Sequence, residues 1–249
     1  MQLSQKVAIV TGGGGGFGRK ISLTLARAGA LLAVVDKDPV KAEEVARQVE
    51  ALGSDAAAFE LDISKVDQIG STIEKAIEKF RGIDILVNNA GVTLAKPAVD
   101  VTEADWTRVM DVNLKGAFFT AQAVGQEMIK RGGGNIVNIA SVNAFIAEIN
   151  TAVYSVSKAG LVNLTRSLAR EWAMYNVRVN AVAPGYARTP LTEFLLEQEK
   201  MVSSLLKRIP LRRFCTAEDV AQAVLYLVSD VSSFVTGQVI VIDGGQTTA

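Results

Sequence analysis

Thr11-Gly-Gly-Gly-Gly-Gly-Phe-Gly18 sits between an apolar run, Lys6–Thr11, and a helical pattern from Arg19 to Ala28. Strand, glycine turn and helix therefore follow one another in the order that holds a dinucleotide pyrophosphate. The turn needs glycine because the anion approaches the backbone closely and because such a turn uses conformations that a Cβ obstructs. The helix N-terminus then offers free N–H groups and the positive end of its dipole. Thr11, Gly12, Gly16, Phe17 and Gly18 are the expected lining of that cradle. A run of glycines alone also fits a flexible loop; the residue that raises it above that is Asp36. This carboxylate ends the second apolar run, eighteen residues past Gly18, where it can accept hydrogen bonds from an adenosine ribose. It would repel a phosphate on that ribose, and the turn has no Arg or Lys before Arg19 to offset the repulsion, so NAD is expected in preference to NADP.

Outward from the turn, β-branched runs alternate with amphipathic stretches: Lys6–Thr11, Leu31–Asp36, Ala56–Leu61, Ile83–Asn88, Asn135–Ile139, Arg178–Ala183 and Gln238–Ile242. That rhythm predicts an α/β fold built on a parallel sheet. The runs are apolar almost throughout, as in strands covered by helices on both faces. Thr102-Glu-Ala-Asp105 and Thr216-Ala-Glu-Asp219 have the form of capping boxes that open helices. Residues 1–249 carry no repeat and no linker, so a single domain is expected. Thr189–Phe214 is the one long interval between late strands; its Leu191, Phe194, Leu195, Leu196, Leu205 and Leu206 either cover a substrate as a lid or pack on the body.

The chain's 26 basic residues balance its 26 acidic ones, which gives no electrostatic reason to expect a nucleic acid or an anionic membrane as partner. No apolar run is long enough to span a bilayer, and the start lacks the form of a secretion signal. Cys215 is the single cysteine, so a reducing, cytoplasmic setting is expected, with Cys215 as a packing thiol. There is no histidine at all. That excludes Ser-His-Asp and Cys-His machinery and removes the commonest transition-metal ligand, and no metal site is expected.

Proton chemistry must therefore use other groups. Tyr154-Ser-Val-Ser-Lys158 opens an amphipathic segment, and a spacing of four places phenol and ammonium on one helix face. A phenol titrates near ~10, and an ammonium and an oxidised nicotinamide beside it would stabilise the phenolate, making Tyr154 an acid–base pair with an alcohol. Ser141 ends the fifth run at the same sheet edge as the glycine turn, where its hydroxyl can hold a substrate oxygen. Asn113, inside the helical stretch Trp106–Lys130, has poor intrinsic helix preference and is expected to hold water or a backbone group. Asp62 and Ile63 close the third run and Asn88-Asn89-Ala90-Gly91 the fourth, both at the edge where ligands of such sheets bind; Asp62 reaches the adenine or makes a turn.

With these residues assembled, the chain resembles the short-chain dehydrogenase/reductase family over essentially its whole length. The resembling parts are Thr11, Gly12, Gly16 and Gly18, then Asn88–Gly91, the set Asn113, Ser141, Tyr154 and Lys158, the turn Pro184-Gly185 with Thr189, and Val239–Gly245. The resemblance implies a Rossmann-like, doubly wound sheet of seven parallel strands. It implies contacts to the cofactor from Asn89, Ala90 and Gly91, to the nicotinamide carboxamide from Pro184, Gly185 and Thr189, and to the nicotinamide ribose from Lys158. It also implies a water held by Asn113 and a homotetramer, for which the helices Trp106–Lys130 and Val153–Met174 are available. The uninterrupted Gly12–Gly16 departs from relatives that carry Ser, Ala or Arg there, and is expected to loosen the turn.

The substrate is expected to be a small alcohol or ketone. Asn143, Glu148 and Asn150 suit a sugar, polyol or hydroxy acid, and Tyr186, Thr93 and Leu94 are further wall candidates. Phe145, Ile146 and the lid leucines suit an acyl chain instead, so a 3-oxoacyl thioester reductase is the alternative, with Lys130-Arg131 as a small basic docking candidate. An NAD-sensing protein without turnover is the competing class. A nucleotide-sugar epimerase is disfavoured by the chain's length.

Overall fold

The computed structural model describes residues 1–187 and 199–248, with side chains from 202 onward in the second segment. Thr189, Leu191, Phe194, Leu195 and Leu196 lie outside the described residues. Strands β1 (Val7–Thr11), β2 (Leu31–Asp36), β3 (Ala56–Glu60), β4 (Ile85–Asn88), β5 (Gly134–Ile139), β6 (Val177–Pro184) and β7 (Val239–Ile242) form one sheet in the order β3-β2-β1-β4-β5-β6-β7. Every pairing is parallel, from Leu32 opposite Ala56 at one end to Pro184 opposite Ile242 at the other. The expected seven-stranded, doubly wound sheet is what the chain forms.

Alternate residues of each strand feed two separate cores, which is why the runs show no polar alternation. Ala8, Val10, Leu32, Val34, Ile85 and Val87 pack under α1 (Gly16–Arg27), α2 (Pro39–Glu50) and, beyond them, the late helix Ala217–Val228. Ile9, Ala33, Val35, Leu86 and Ile136 pack under α3 (Val66–Phe80), α5 (Ala117–Arg131) and α6 (Ala152–Trp172). The remaining α-helices among the described residues are α4 (Glu103–Met110), α7 (Glu199–Lys207) and the late helix just named, α8. Both expected capping boxes are present: Thr102 and Asp105 open α4, Thr216 and Asp219 open α8.

Two expectations need correction. Helix α1 begins at Gly16, three residues before Arg19, because the glycine turn itself winds into the first helical turn. The stretch Trp106–Lys130 is not one α-helix: Asp111–Gly116 form a π-helical turn between α4 and α5. Gly116 crosses the exit of β3 so closely that a Cβ there would stand 2.5 Å from the Ile63 carbonyl oxygen.

The chain leaves β3 at one edge and resumes at β4 on the other side of β1, so β1 and β4 diverge at their carboxyl ends. Crevices of this kind are where open α/β sheets take ligands. No helix among the described residues is long and apolar enough to cross a membrane.

Candidate active site

At the β1–β4 crevice the glycine turn is fastened to the turn after β4. Thr11 Oγ1 accepts from the backbone N–H groups of Asn89 and Ala90, both at 3.1 Å. Asn89 Nδ2 donates in return to the carbonyls of Thr11 and Gly12, at 2.9 and 3.0 Å. Gly12 sits at φ +61°, and a Cβ on Gly18 would overlap the Gly12 carbonyl oxygen, so this geometry requires glycine at both positions. Gly13 and Gly14 are likewise packed, the first N–H bonding to the Val35 carbonyl at 2.9 Å and the second to Asp36 Oδ2 at 2.9 Å. The run does not loosen the turn as expected: Gly12, Gly13 and Gly14 are all closely packed, and Gly15 faces open space. Gly15 caps α1 without a side-chain hydrogen bond, so the first N–H groups of the helix face a cradle that side chains would fill. That cradle fits a pyrophosphate.

Asp36 is half-buried, with Oδ1 accepting from the Asp38 N–H at 3.0 Å and Oδ2 from Gly14. Asp62 makes an Asx turn, accepting from the backbone and hydroxyl of Ser64 at 3.0 and 2.8 Å. Burial works against its ionisation, and these bonds overcome it to hold the carboxyl below the usual range. Ile63 is buried in the core beneath.

Strand β5 delivers Ser141 two residues past its end, and α6 delivers Tyr154 and Lys158 in its first two turns. Lys158 is 5% exposed, donates to the Ile139 carbonyl at 2.7 Å, and stands 5.8 Å from the Tyr154 ring centroid. Burial pulls its ammonium down to about 8. Burial also pushes the Tyr154 phenol up, and its hydrogen bond with Ser141 opposes that rise. Ser141 Oγ additionally accepts from the Asn143 N–H at 3.2 Å. A Cβ built on Gly91 would stand 3.4 Å from Asn113 Oδ1 and 3.5 Å from Lys158 Nζ, so the turn after β4 runs directly past the site.

Asn113 holds a backbone group, one of its two expected roles. Its Oδ1 accepts from the Val92 N–H at 2.8 Å and its Nδ2 donates to the Val92 carbonyl at 2.9 Å. The same Nδ2 reaches Ser157 Oγ at 3.0 Å, and Ser157 donates to the Tyr154 carbonyl at 2.7 Å. Asn113 thereby ties the β4 exit to the helix that carries the phenol.

Comparison with known proteins gives the same answer. A family model described as enoyl-(acyl carrier protein) reductase matches residues 13–247. The chain belongs to the short-chain dehydrogenase/reductase family. It is 43% identical to a 3-oxoacyl-[acyl-carrier-protein] reductase of Thermotoga maritima, over 98% of this chain and 99% of the relative. It is 40% identical to an NAD-dependent glycerol dehydrogenase of Listeria innocua, over 98% and 95%. A gluconate 5-dehydrogenase from Burkholderia cenocepacia, solved with NADP and tartrate, superposes with a TM-score of 0.97 at 36% identity, covering 100% of this chain and 97% of that one.

In this short-chain dehydrogenase/reductase the expected substrate residues divide. Asn143 is committed within its own loop, donating to Thr151 Oγ1 at 3.2 Å. Glu148 and Tyr186 meet at the carboxyl edge of the sheet, joined by Arg208 just past α7. Asn150 takes a left-handed φ of +64° and accepts from the Lys96 N–H at 2.8 Å. Pro184 ends β6, and the Gly185 N–H donates to the carbonyl of Ile242 on β7 at 2.9 Å. Arg131 donates to the Arg81 carbonyl at 2.7 Å, which commits half of the expected docking pair to the fold. Cys215 is buried, and burial pushes its thiol up to about 12, as suits a packing residue.

Ser157 and Arg208 were missed. Ser157 was legible in principle, since a serine three residues after Tyr154 shares its helix face. Nothing in the sequence ties Arg208 to Glu148, sixty positions away.

Proposed function

We propose that this chain is an NAD-dependent oxidoreductase that interconverts a secondary alcohol and a ketone, with a sugar, polyol or hydroxy acid as substrate. The observation that carries this reading is the convergence of Ser141, Tyr154 and Lys158 beside a side-chain-free cradle at the N-terminus of α1. Thr11, Gly12, Gly16, Phe17 and Gly18 hold the pyrophosphate, Asp36 the adenosine ribose, and Asp62 and Ile63 flank the adenine. Asn89, Ala90, Gly91, Pro184 and Gly185 line the nicotinamide end. When bound, the oxidised nicotinamide supplies the hydride acceptor and a positive charge.

Ser141 Oγ donates to the substrate oxygen and holds it against the phenol. Tyr154 accepts the alcohol proton and returns it in the reverse direction. Lys158 stabilises the phenolate and binds the nicotinamide ribose, while Asn113 fixes the position of α6 and a water of the proton path. The walls come from Asn143, Glu148 and Tyr186. A cytoplasmic homotetramer completes the proposal, and exposed Trp106 on α4 and Met174 beyond α6 supply apolar surface for the assembly.

The test is absorbance of reduced nicotinamide, followed with NAD and NADP over polyols, hydroxy acids and hydroxyacyl thioesters. Turnover of polyols or hydroxy acids with NAD supports the proposal. Turnover confined to thioesters favours the 3-oxoacyl reductase reading, to which the 43% identity with such an enzyme lends support. Binding of NAD with no turnover of any alcohol overturns both and leaves the NAD sensor.

A further inference from the structure

Three segments meet in one polar cluster at the carboxyl edge of the sheet. Glu148 comes from the connection between Ser141 and Tyr154, Tyr186 from the exit of β6, and Arg208 from just beyond α7. Arg208 grips the Glu148 carboxylate with both arms of its guanidinium, Nη1 to Oε2 at 3.0 Å and Nη2 to Oε1. Nη1 also donates to Tyr186 Oη at 3.2 Å, and the guanidinium lies 5.8 Å from the Tyr186 ring centroid. The Glu148 side chain is only 15% exposed, against 45% for Arg208.

The cluster is wired to the reacting groups. Thr151 Oγ1 donates to the Glu148 carbonyl at 2.9 Å and accepts from Asn143 Nδ2, and Asn143 in turn bonds to Ser141. β5 and β6 are paired neighbours, so Ser141 and Tyr186 leave the sheet at the same edge, one strand apart.

We infer that Glu148, Arg208 and Tyr186 form a charge filter that favours an uncharged polyol over a carboxylate-bearing hydroxy acid; this rests on the oxidoreductase reading above. A planar guanidinium fork is the natural receptor for a carboxylate, and here the chain's own Glu148 fills it. A hydroxy acid seeking Arg208 must displace Glu148 and leave that carboxylate shielded from water, unpaired and close to its own negative charge. A polyol meets no such repulsion, since its hydroxyls donate to the free lone pairs of Glu148 and to Tyr186 Oη without breaking the pair.

The test uses xylitol and D-gluconate as probes of the NAD-loaded protein, read by binding titration and, separately, by formation of reduced nicotinamide. Wild type is expected to bind xylitol more tightly. Glu148→Gln keeps the side-chain shape and frees the fork, so gluconate binding is expected to improve at least tenfold relative to xylitol. Arg208→Gln leaves Glu148 uncompensated and is expected to shift the ratio the other way. A wild type that prefers gluconate, or a Glu148→Gln variant whose binding ratio is unchanged while its NAD affinity is intact, overturns the filter. Absence of reduced nicotinamide with every alcohol overturns the enzyme reading instead, and the binding ratio still decides the filter.

Discussion

At Tyr154 two neighbours act in opposite directions, and neither alone makes a base. Burial favours the protonated phenol and the Ser141 hydroxyl favours the phenolate. In the mechanism proposed above, positive charge from Lys158 and from the bound nicotinamide would tip the balance. Tyr154→Phe is expected to lower kcat by about 10²–10⁴-fold with little change in NAD affinity, because the phenol acts on the proton and not on cofactor anchoring. Steady-state rates and NAD titration of the variant check it; a variant that retains wild-type turnover removes Tyr154 from the chemistry. Lys158 makes a second prediction. Its folded value of about 8 lies below the unfolded 10.5, so between those values the unfolded chain holds the extra proton and stability gained from this group rises with pH. Below pH 8 the buried ammonium costs stability. Urea unfolding at about pH 7.5 and about pH 9.5 is expected to show a smaller pH-dependent change in Lys158→Met than in wild type; parallel profiles would mean that Lys158 titrates normally. Most of these residues were readable because each breaks a local preference: an asparagine in a helix, a phenol and an ammonium one turn apart. Arg208 breaks none. A lysine or arginine at a helix end is ordinary, so its pairing with Glu148 appears only once the chain is folded.

Elements were legible to the degree that their hydrogen-bond pattern leaves a mark on composition. Strand runs read from the sequence agree with the observed strands to within about two residues, because burial on both faces demands apolar side chains throughout. The π-turn at Asp111–Gly116 was invisible, since a shift from i→i+4 to i→i+5 bonding leaves the apolar spacing almost unchanged. The turn bulges the chain where Asn113 must face inward and where Gly116 must pass the Ile63 carbonyl, which is a typical place for such a distortion. The glycine run was half legible: its position announced a ligand turn, but its packing did not show. Gly18 has no room for a Cβ, so Gly18→Ala is expected to destabilise the fold by about 1–3 kcal/mol. Gly15 has extended dihedrals and nothing within 4 Å, so Gly15→Ser is expected to stabilise the ligand-free protein by about 0.5–1 kcal/mol through capping and a less flexible unfolded chain. Denaturant midpoints of the two variants decide this; equal effects would mean that the turn is as loose as five glycines in a row suggest.

For the whole molecule, periodicity told that both faces of the sheet are covered but not which strands are neighbours, because any parallel order buries the same side chains. The observed order places β1 and β4 side by side with their connections on opposite sides, and that reversal opens the crevice into which the glycine turn, the β4 turn and Asp36 all face. A dinucleotide held there as proposed would bridge β1, β2 and β4, so its binding free energy would also be folding free energy for the central sheet. At a concentration about a hundredfold above its dissociation constant, NAD is expected to add about 2.7 kcal/mol, which for a chain of this size corresponds to a rise in Tm of about 5–10 °C. NADP at the same concentration is expected to raise Tm less, because its extra phosphate would face the Asp36 carboxylate, already anchored by Gly14 and Asp38 and unable to turn away without breaking both bonds. Asp36→Ala is expected to bring the two shifts together by weakening NAD and relieving NADP. Thermal unfolding of both proteins with each cofactor measures all four shifts, and equal shifts for NAD and NADP in the wild type would remove Asp36 as the selecting residue.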